Sequence, residues 1–589
     1  MRKKILIFIF LIFLVSFFGW VSKFKGEEIR IENKGKPDFL KKELEISGGV
    51  VPHHLLAKDL IEKFFKNLYF YSKEKPETII LLSPDHYKAG SVLGNFFITL
   101  FPETQKFHQL KVDSSLIRKL AQTHQVVFHN SSIERDHGIT NLLPFIKKYF
   151  PESKIVPFLS PLSIDQKRAE SFCKFLNRFS SSKTVVIASV DFSHYLPSEV
   201  AKFHDVKSIR VLVNFEKEEF KNIEVDSWQS LYIMRCFSHL RNKEFPVIIG
   251  HKTSDDFSGK KSENTTSYFS VIFKKGDLKK IKSQEILQGK TLLFVGDIML
   301  DRDVERLMKK YNFHYPFEKV EHFLKGIDIV FGNLEGPIVQ NPPDFGYSLR
   351  FAFLPQTGNS LSFSHFNLLS LANNHTLDMG KKGFEETKKI LDKNKINYLG
   401  SPLKCDEDFF EKEGIIFLAF NKISSLCSNE KIIEIVKKVK KRFPQKFLVV
   451  IFHWGREYQS KSSTFQRKLA HQTIDAGADL IVGSHPHVVQ EIEKYKGKLI
   501  FYSLGNFVFD QYFSKETQEA LAVGVEIYPE KLIFRLFPIQ IKKSQPCLGS
   551  FSFSKKFLEK LALKSSPSLS EKIKKGIIIE KRIIIEKRK

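Results

Sequence analysis

The most constraining feature of the chain is a pattern that occurs five times in its second half: a short aliphatic or β-branched run that stops at glycine, carboxylate, amide or imidazole. Thr291 to Val295 leads into Gly296-Asp297, Ile327 to Phe331 into Gly332-Asn333-Leu334-Glu335, and Leu368 to Ala372 into Asn373-Asn374-His375-Thr376-Leu377-Asp378. Phe447 to Phe452 leads into His453-Trp454-Gly455, and Asp479 to Val482 into Gly483-Ser484-His485-Pro486-His487. Short continuous apolar runs bounded by turn residues fit strands buried on both faces of a parallel sheet. Open α/β sheets bind ligands outside the carboxyl ends of their strands, so the polar residues after each run form the candidate site. Imidazole together with carboxylate oxygen suits Zn²⁺, Mn²⁺ or Fe²⁺. Gly296, Gly332, Gly455 and Gly483 are expected to let the chain turn sharply so that those side chains converge.

The first half alternates in the same way. Leu55 to Tyr69 has helical spacing, while Thr78 to Leu82, Lys154 to Leu159 and Thr184 to Val190 are strand-like. Polar blocks again adjoin these runs: Val50-Val51-Pro52-His53-His54, Ser83-Pro84-Asp85-His86, Glu134-Arg135-Asp136-His137-Gly138 and Asp191-Phe192-Ser193-His194. A chain of 589 residues is expected to hold two large domains, and both read as α/β. Composition shifts place an N-terminal segment at 1–25, a Lys/Glu-rich tether at 26–44, the first domain at 45–274, a linker at 275–288, the second domain at 289–541 and a basic tail at 542–589. The tail carries IIIEKR twice, at 577–582 and 583–588, and reads as solvated.

Residues 5–21, ILIFIFLIFLVSFFGWV, follow Arg2-Lys3-Lys4 and would span roughly 25 Å as a helix, near the short limit for a bilayer. Trp20, Lys23 and Lys25 suit an interfacial anchor, so the segment reads as an uncleaved signal anchor, with a cleaved secretory signal as the alternative. Either exports both domains, as a single-pass membrane protein or a secreted one. Five cysteines, an odd number without CxxC spacing, indicate neither a zinc ribbon nor a disulfide framework, and Cys236 reads as a buried apolar residue. The net charge of +27 favours anionic partners. No nucleic-acid motif accompanies that charge, and export argues against nucleic acid as partner.

The order GD, NLE, NNHxxDxG, HWG, GSHPH resembles the CapA family of capsule or poly-γ-glutamate synthesis proteins, with a metallophosphoesterase-like fold. Asn374 to Gly380 is also similar to a block of 5′-nucleotidase-like phosphoesterases. The resemblance implies Asp297, Glu335, Asn374, His453, His485 and His487 as ligands of divalent metal (Mn, Zn or Fe). It implies His375 and Asp378 as a catalytic pair, and a phosphorylated or polyanionic envelope substrate. One departure is Met299, which stands where such phosphoesterases carry a ligating histidine.

The PHH, SPDH, DHG and DFSH blocks resemble the Memo family, also called AmmeMemoRadiSam system protein B, similar in fold to class III extradiol dioxygenases. That resemblance implies a second pocket, possible host to iron, with His53 and His86 as ligands and His137, Asp191 and His194 lining it. Asp226 stands where some members have a ligating cysteine. Two further expectations remain open: a non-catalytic scaffold for anionic envelope polymer, and a non-haem-iron redox role for the first domain.

Overall fold

The computed structural model describes residues 46–72, 74–123, 125–278, 287–424 and 427–582. The expected anchor, the tether, most of the linker and the second IIIEKR copy lie outside these residues. Among the described residues no helix is long and apolar enough to cross a membrane. The chain divides into two compact units. The first gathers the described residues up to Ala201, with Leu212–Lys221 and those from Val225 to 278; the second gathers Lys202–Val211, Asn222–Glu224 and those from 287 onward.

The first unit is built on a ten-stranded mixed sheet. Its strands are β1 (Ile46–Val51), β2 (Thr78–Pro84), β3 (Phe97–Thr99), β4 (Lys106–Phe107), β5 (Leu110–Val112), β6 (Val126–Phe128), β7 (Lys154–Ser160), β8 (Thr184–Ser189), β9 (Phe245–Thr253) and β10 (Ser267–Lys274). The centre, β7-β2-β8-β1, is parallel, and β10 and β9 extend it antiparallel. Residues 79–82 and 185–188 are wholly apolar and buried, as strands covered on both faces must be. The amphipathic helix Lys58–Tyr71 buries Leu60, Ile61, Phe64, Phe65 and Leu68, spaced for one helical face.

The second unit contains two sheets. The nine-stranded sheet holds β11 (Lys290–Ile298), β12 (Ile329–Leu334), β13 (Leu368–Ser370) and β14 (Asn397–Leu399) in parallel. The six-stranded sheet holds β15 (Phe409–Lys412), β16 (Ile415–Asn421), β17 (Phe447–His453), β18 (Leu480–Ser484), β19 (Ile492–Tyr495) and β20 (Lys498–Phe501), ordered β15-β16-β17-β18-β20-β19. The first of these sheets is completed by β21 (Asn506–Val508), β22 (Glu519–Ile527), β23 (Lys531–Lys542), β24 (Gln545–Leu548) and β25 (Ile577–Lys581).

Strand alternation sorts each apolar run into two layers. Phe447, Val449 and Ile451 of β17 join Leu292, Phe294, Ile329 and Phe331 in the core shared by both sheets. Leu448, Val450 and Phe452 turn the other way, against Ile432, Ile435 and Leu469 of the helices Asn429–Arg442 and Thr464–Asp475. Both units are therefore α/β, the second with the two-sheet architecture of metallo-dependent phosphatases.

Two expectations are corrected. Residues 542–582 are not a solvated tail: Phe557, Leu558 and Leu561 of the helix Phe551–Lys564, together with Ile573 and with Ile578 of β25, lie in the second unit's core. The IIIEKR run hid this because its first copy is an edge strand on β23, Ile578 inward and Ile579 outward. Four cysteines pair as Cys173–Cys236 and Cys405–Cys427, leaving Cys547 free. Cys236 is buried but bonded; partners 63 and 22 residues apart leave no local spacing signal.

Candidate metal centres

Alternation delivers the second unit's polar residues to one place. His453 continues the face of Phe447, Val449 and Ile451, and Asn333 and Glu335 continue the face of Ile329 and Phe331. The β11–β12 register shifts between Phe294 and Asp297, a bulge that re-aims the strand end. Three of the glycines work by absence of a side chain rather than by turning. A Cβ at Gly296 would sit 1.8 Å from the Gly505 carbonyl oxygen, one at Gly483 2.1 Å from that of Tyr502, and one at Gly332 2.6 Å from Ile298 Cδ1. Only Gly455 has the expected left-handed backbone, with φ of 97°.

Asp297, Glu335 and His487, all buried, present ligand atoms within 4.8 Å of one another, and Glu457, His485 and His487 form a second such group. His487 belongs to both. Its Nδ1 lies 3.0 Å from Asn506 Oδ1 and 3.3 Å from Asp297 Oδ2, and its Nε2 3.6 Å from Glu335 Oε1. Asn333 Nδ2 donates to Asp297 Oδ1 at 2.8 Å, and the His485 backbone N–H donates to Asp297 Oδ2 at 3.2 Å. His453 is held from both sides, Nε2 at 2.7 Å from Asn374 Oδ1 and Nδ1 at 2.9 Å from Ser484 Oγ. Asn374 is thus brought to the cluster, oriented by His453. Trp454 serves the core: fully buried, it stacks on Phe452 and donates to the Tyr502 carbonyl at 2.9 Å. Met299 Sδ accepts the Asp301 N–H at 3.1 Å, a structural use that accounts for a thioether at this position.

The electrostatics favour a cation. Burial pushes Asp297 up, but the His487 hydrogen bond and neighbouring imidazoles outweigh it and hold the carboxyl at about 2. Burial and the Asp297 charge push Glu335 well above the usual range. Burial, then His485, depresses His453, and burial, then His487, lowers His485 to about 4, so both rings are neutral and ligand-ready. Glu335 Oε1 and His485 Nδ1 are buried without a hydrogen-bond partner. Such orphaned atoms are costly unless something is coordinated there, and the donor set is the imidazole–carboxylate mixture that borderline dications take. His485 and His487 have φ of 93° and 57°, strained for residues with a side chain and common at functional sites.

His375 and Asp378 meet beside this cluster, Nδ1 to Oδ2 at 2.9 Å. Asp378 Oδ2 also accepts the Phe351 backbone N–H at 2.7 Å, and the Phe351 ring packs on His375 with centroids 4.3 Å apart. With Nδ1 engaged, Nε2 is the nitrogen available for proton exchange.

In the first unit, His53, His86 and His137 form a third group with ligand atoms within 4.8 Å. Their rings are 3.9–5.1 Å apart. His86 Nδ1 is 3.0 Å from Asp136 Oδ2, and Asp136 also accepts from Ser83 Oγ at 3.0 Å. His53 Nε2 lies 3.5 Å from Asp191 Oδ2 and 3.6 Å from Asp226 Oδ2, while Asp226 Oδ1 is a buried atom without a partner. Burial raises Asp191, and burial together with the Asp191 charge raises Asp226 well above the usual range. Burial, then His86, depresses His53 and His137. His194 is close enough to act electrostatically on His53 and Asp191.

All the anticipated residues are therefore gathered into two sites, one in each unit. Sequence reasoning missed Glu457, four residues after His453 in an irregular segment, and the orienting residues Asp136 and Asn506. Only the clustering of Glu457 with the HWG block and of Asp136 with His137 could have pointed to two of them.

Comparisons with known proteins find two families along the chain. The family model "Bacterial capsule synthesis protein PGA_cap" matches residues 291–420 and 418–511, and "Memo-like protein" matches 36–272. The chain is 32% identical over 287 residues to the capsule biosynthesis protein CapA of Bacillus anthracis, covering 44% of this chain and 68% of the relative. It is 32% identical over 299 residues to the PGA biosynthesis protein CapA of Bacillus subtilis, covering 46% and 77%. A MEMO1 family protein of Caldivirga maquilingensis is 26% identical over 211 residues, covering 34% and 73%. The chain thus belongs to the bacterial capsule synthesis protein family, as a fusion in which a Memo-like domain precedes the CapA-like one.

Proposed function

We propose that the second unit is a metal-dependent hydrolase of phosphoesterase type, acting on a phosphorylated or polyanionic substrate in the synthesis of capsule or a related envelope polymer. The observation that carries this reading is the meeting of two overlapping ligand groups, with orphaned Glu335 and His485 atoms, beside an oriented His375–Asp378 pair. Asp297, Glu335, Glu457, His485 and His487 would hold the metal, with His453 and Asn374 adjoining. When bound there, a divalent ion would supply Lewis-acid polarisation of a phosphoryl oxygen and offset the charge developing on it. His375 donates a proton from Nε2 to the leaving oxygen, while Asp378 fixes its tautomer and stabilises the imidazolium that precedes donation. The Phe351 ring shields the His375 face from water.

The names of the two CapA relatives support an anionic polymer context, as does the net charge of +27. The two disulfides support an oxidising, extracytoplasmic compartment, with the apolar run at 5–21 as membrane anchor. In the first unit we propose a mononuclear iron site on His53, His86 and Asp226, with His137 adjoining, because Asp226 Oδ2 lies 3.6 Å from His53 Nε2 and its Oδ1 is buried without a partner.

The test is metal content of the full chain by mass spectrometry, with hydrolysis of bis(p-nitrophenyl) phosphate assayed in parallel. Metal that falls in His485→Ala, and separately iron that falls in His86→Ala, is the expected result. A second unit that takes up no Mn²⁺ or Zn²⁺ above the His485→Ala background would leave it a scaffold for anionic polymer.

A further inference from the structure

At the opposite, amino-terminal ends of β17 and β18 the second unit contains a cavity of about 190 Å³. Four cationic side chains line it, Lys440, Lys446, Lys498 and Arg582, against a single carboxylate, Asp479. Both oxygens of that carboxylate are engaged: Oδ1 accepts from Lys498 Nζ at 2.7 Å, and Oδ2 from Lys440 Nζ at 2.7 Å and the Leu448 N–H at 3.0 Å. Lys446 pairs with Glu411 at 3.2 Å. The Arg582 guanidinium lies over the Phe447 ring, 5.9 Å from its centroid, and among the described residues makes one hydrogen bond, from NH1 to the Tyr528 carbonyl at 3.2 Å. Burial depresses its basicity by more than the nearby Asp479 carboxylate raises it.

The cavity is built rather than incidental. Gly477 has φ of 115°, and a Cβ there would lie 2.6 Å from Lys440 Cγ, so the glycine clears the path of the lysine stem. Pairing of β25 with β23 ends at Lys581 opposite Lys531, which delivers Arg582 to the rim. Half-buried positive charge left in excess is unfavourable until an anion arrives. A planar guanidinium beside ammonium groups matches the oxygens of phosphate or carboxylate.

We propose that this cavity is an oxyanion site, taking a phosphate- or carboxylate-bearing group at a place separate from the strand-end metal cluster. The proposal is independent of hydrolase activity. Its test is calorimetric titration of the full chain, carrying His485→Ala and treated with chelator so that the metal cluster does not contribute. Inorganic phosphate and glutarate serve as probes of the two oxyanion types. Binding of either probe is expected, about tenfold weaker in Arg582→Gln and partly restored in Arg582→Lys, with an unchanged melting temperature. Lys446→Gln, at a half-exposed position, is the second variant should Arg582→Gln fold poorly, and it should also weaken binding. No binding of either anion, or binding indifferent to the substitutions, overturns the proposal.

Discussion

The His375–Asp378 pair shows how much a single contact can decide. Asp378 holds Nδ1 at 2.9 Å and is itself held by the Phe351 N–H, so the imidazole has one orientation and one free nitrogen. Removing the ring removes the proton donor: His375→Ala is expected to lower kcat on bis(p-nitrophenyl) phosphate by about 10²–10⁴-fold while metal content stays at the wild-type level. Asp378→Asn keeps the ring and should cost less, about 10-fold or more, with an altered pH–rate profile. Equal metal loss in both variants would instead make the pair structural. The glycines carry a different lesson. Gly296 was legible as important but not for the right reason, because a turn and a close backbone approach look alike in sequence. Gly296→Ala places a Cβ 1.8 Å from the Gly505 oxygen, so a loss of about 2 kcal/mol or more is expected in urea unfolding. Glu457 was barely legible as a ligand: a carboxylate in an irregular loop gives no periodic signal, and only its closeness to the HWG block marked it.

At the scale of elements, the strands that bear the site were legible because a strand covered on both faces must be apolar throughout. The runs Phe447 to Phe452 and Lys154 to Leu159 fall within β17 and β7. The edge strand β25 was not, since it reads IIIEK within a basic stretch and lacks that signature. Ile578, fully buried on β23, is therefore expected to cost about 2–4 kcal/mol on substitution by Ala, whereas exposed Ile579→Ala should change the melting temperature little. Asp479 joins three further elements, the helix Asn429–Arg442 through Lys440, β20 through Lys498 and β17 through the Leu448 N–H. Burial raises its pKa, but the two lysines outweigh burial and lower it below the usual value. The unfolded chain then takes up the proton first as pH falls. The contribution is complete above roughly pH 4, the unfolded value, and is lost as pH drops through the lower folded value. Asp479→Asn should thus be less stable than wild type by about 1–3 kcal/mol at pH 7, and the gap should narrow as pH falls below about 4 in parallel thermal melts.

For the whole molecule, the decisive variable is the compartment in which two independent cores mature. Each unit contains one disulfide, Cys173–Cys236 in the first and Cys405–Cys427 in the second, closing loops of 63 and 22 residues. Loops of these lengths stabilise a fold by about 3–4 kcal/mol in the chain-entropy description, but only where thiols are oxidised. The apolar run at 5–21 and the paired cysteines are the two grounds for the proposed export, one resting on transfer into a bilayer and the other on redox chemistry. Alkylation of the denatured full chain, purified from its native envelope, is expected to modify one cysteine without reductant, Cys547, and all five after reduction. Reduction should also lower the melting temperature of both units, while Cys547→Ser leaves them unchanged. Five reactive cysteines before reduction would place the chain on the reducing side of the membrane and remove the ground for an envelope-facing substrate, even if both metal clusters bound their ions.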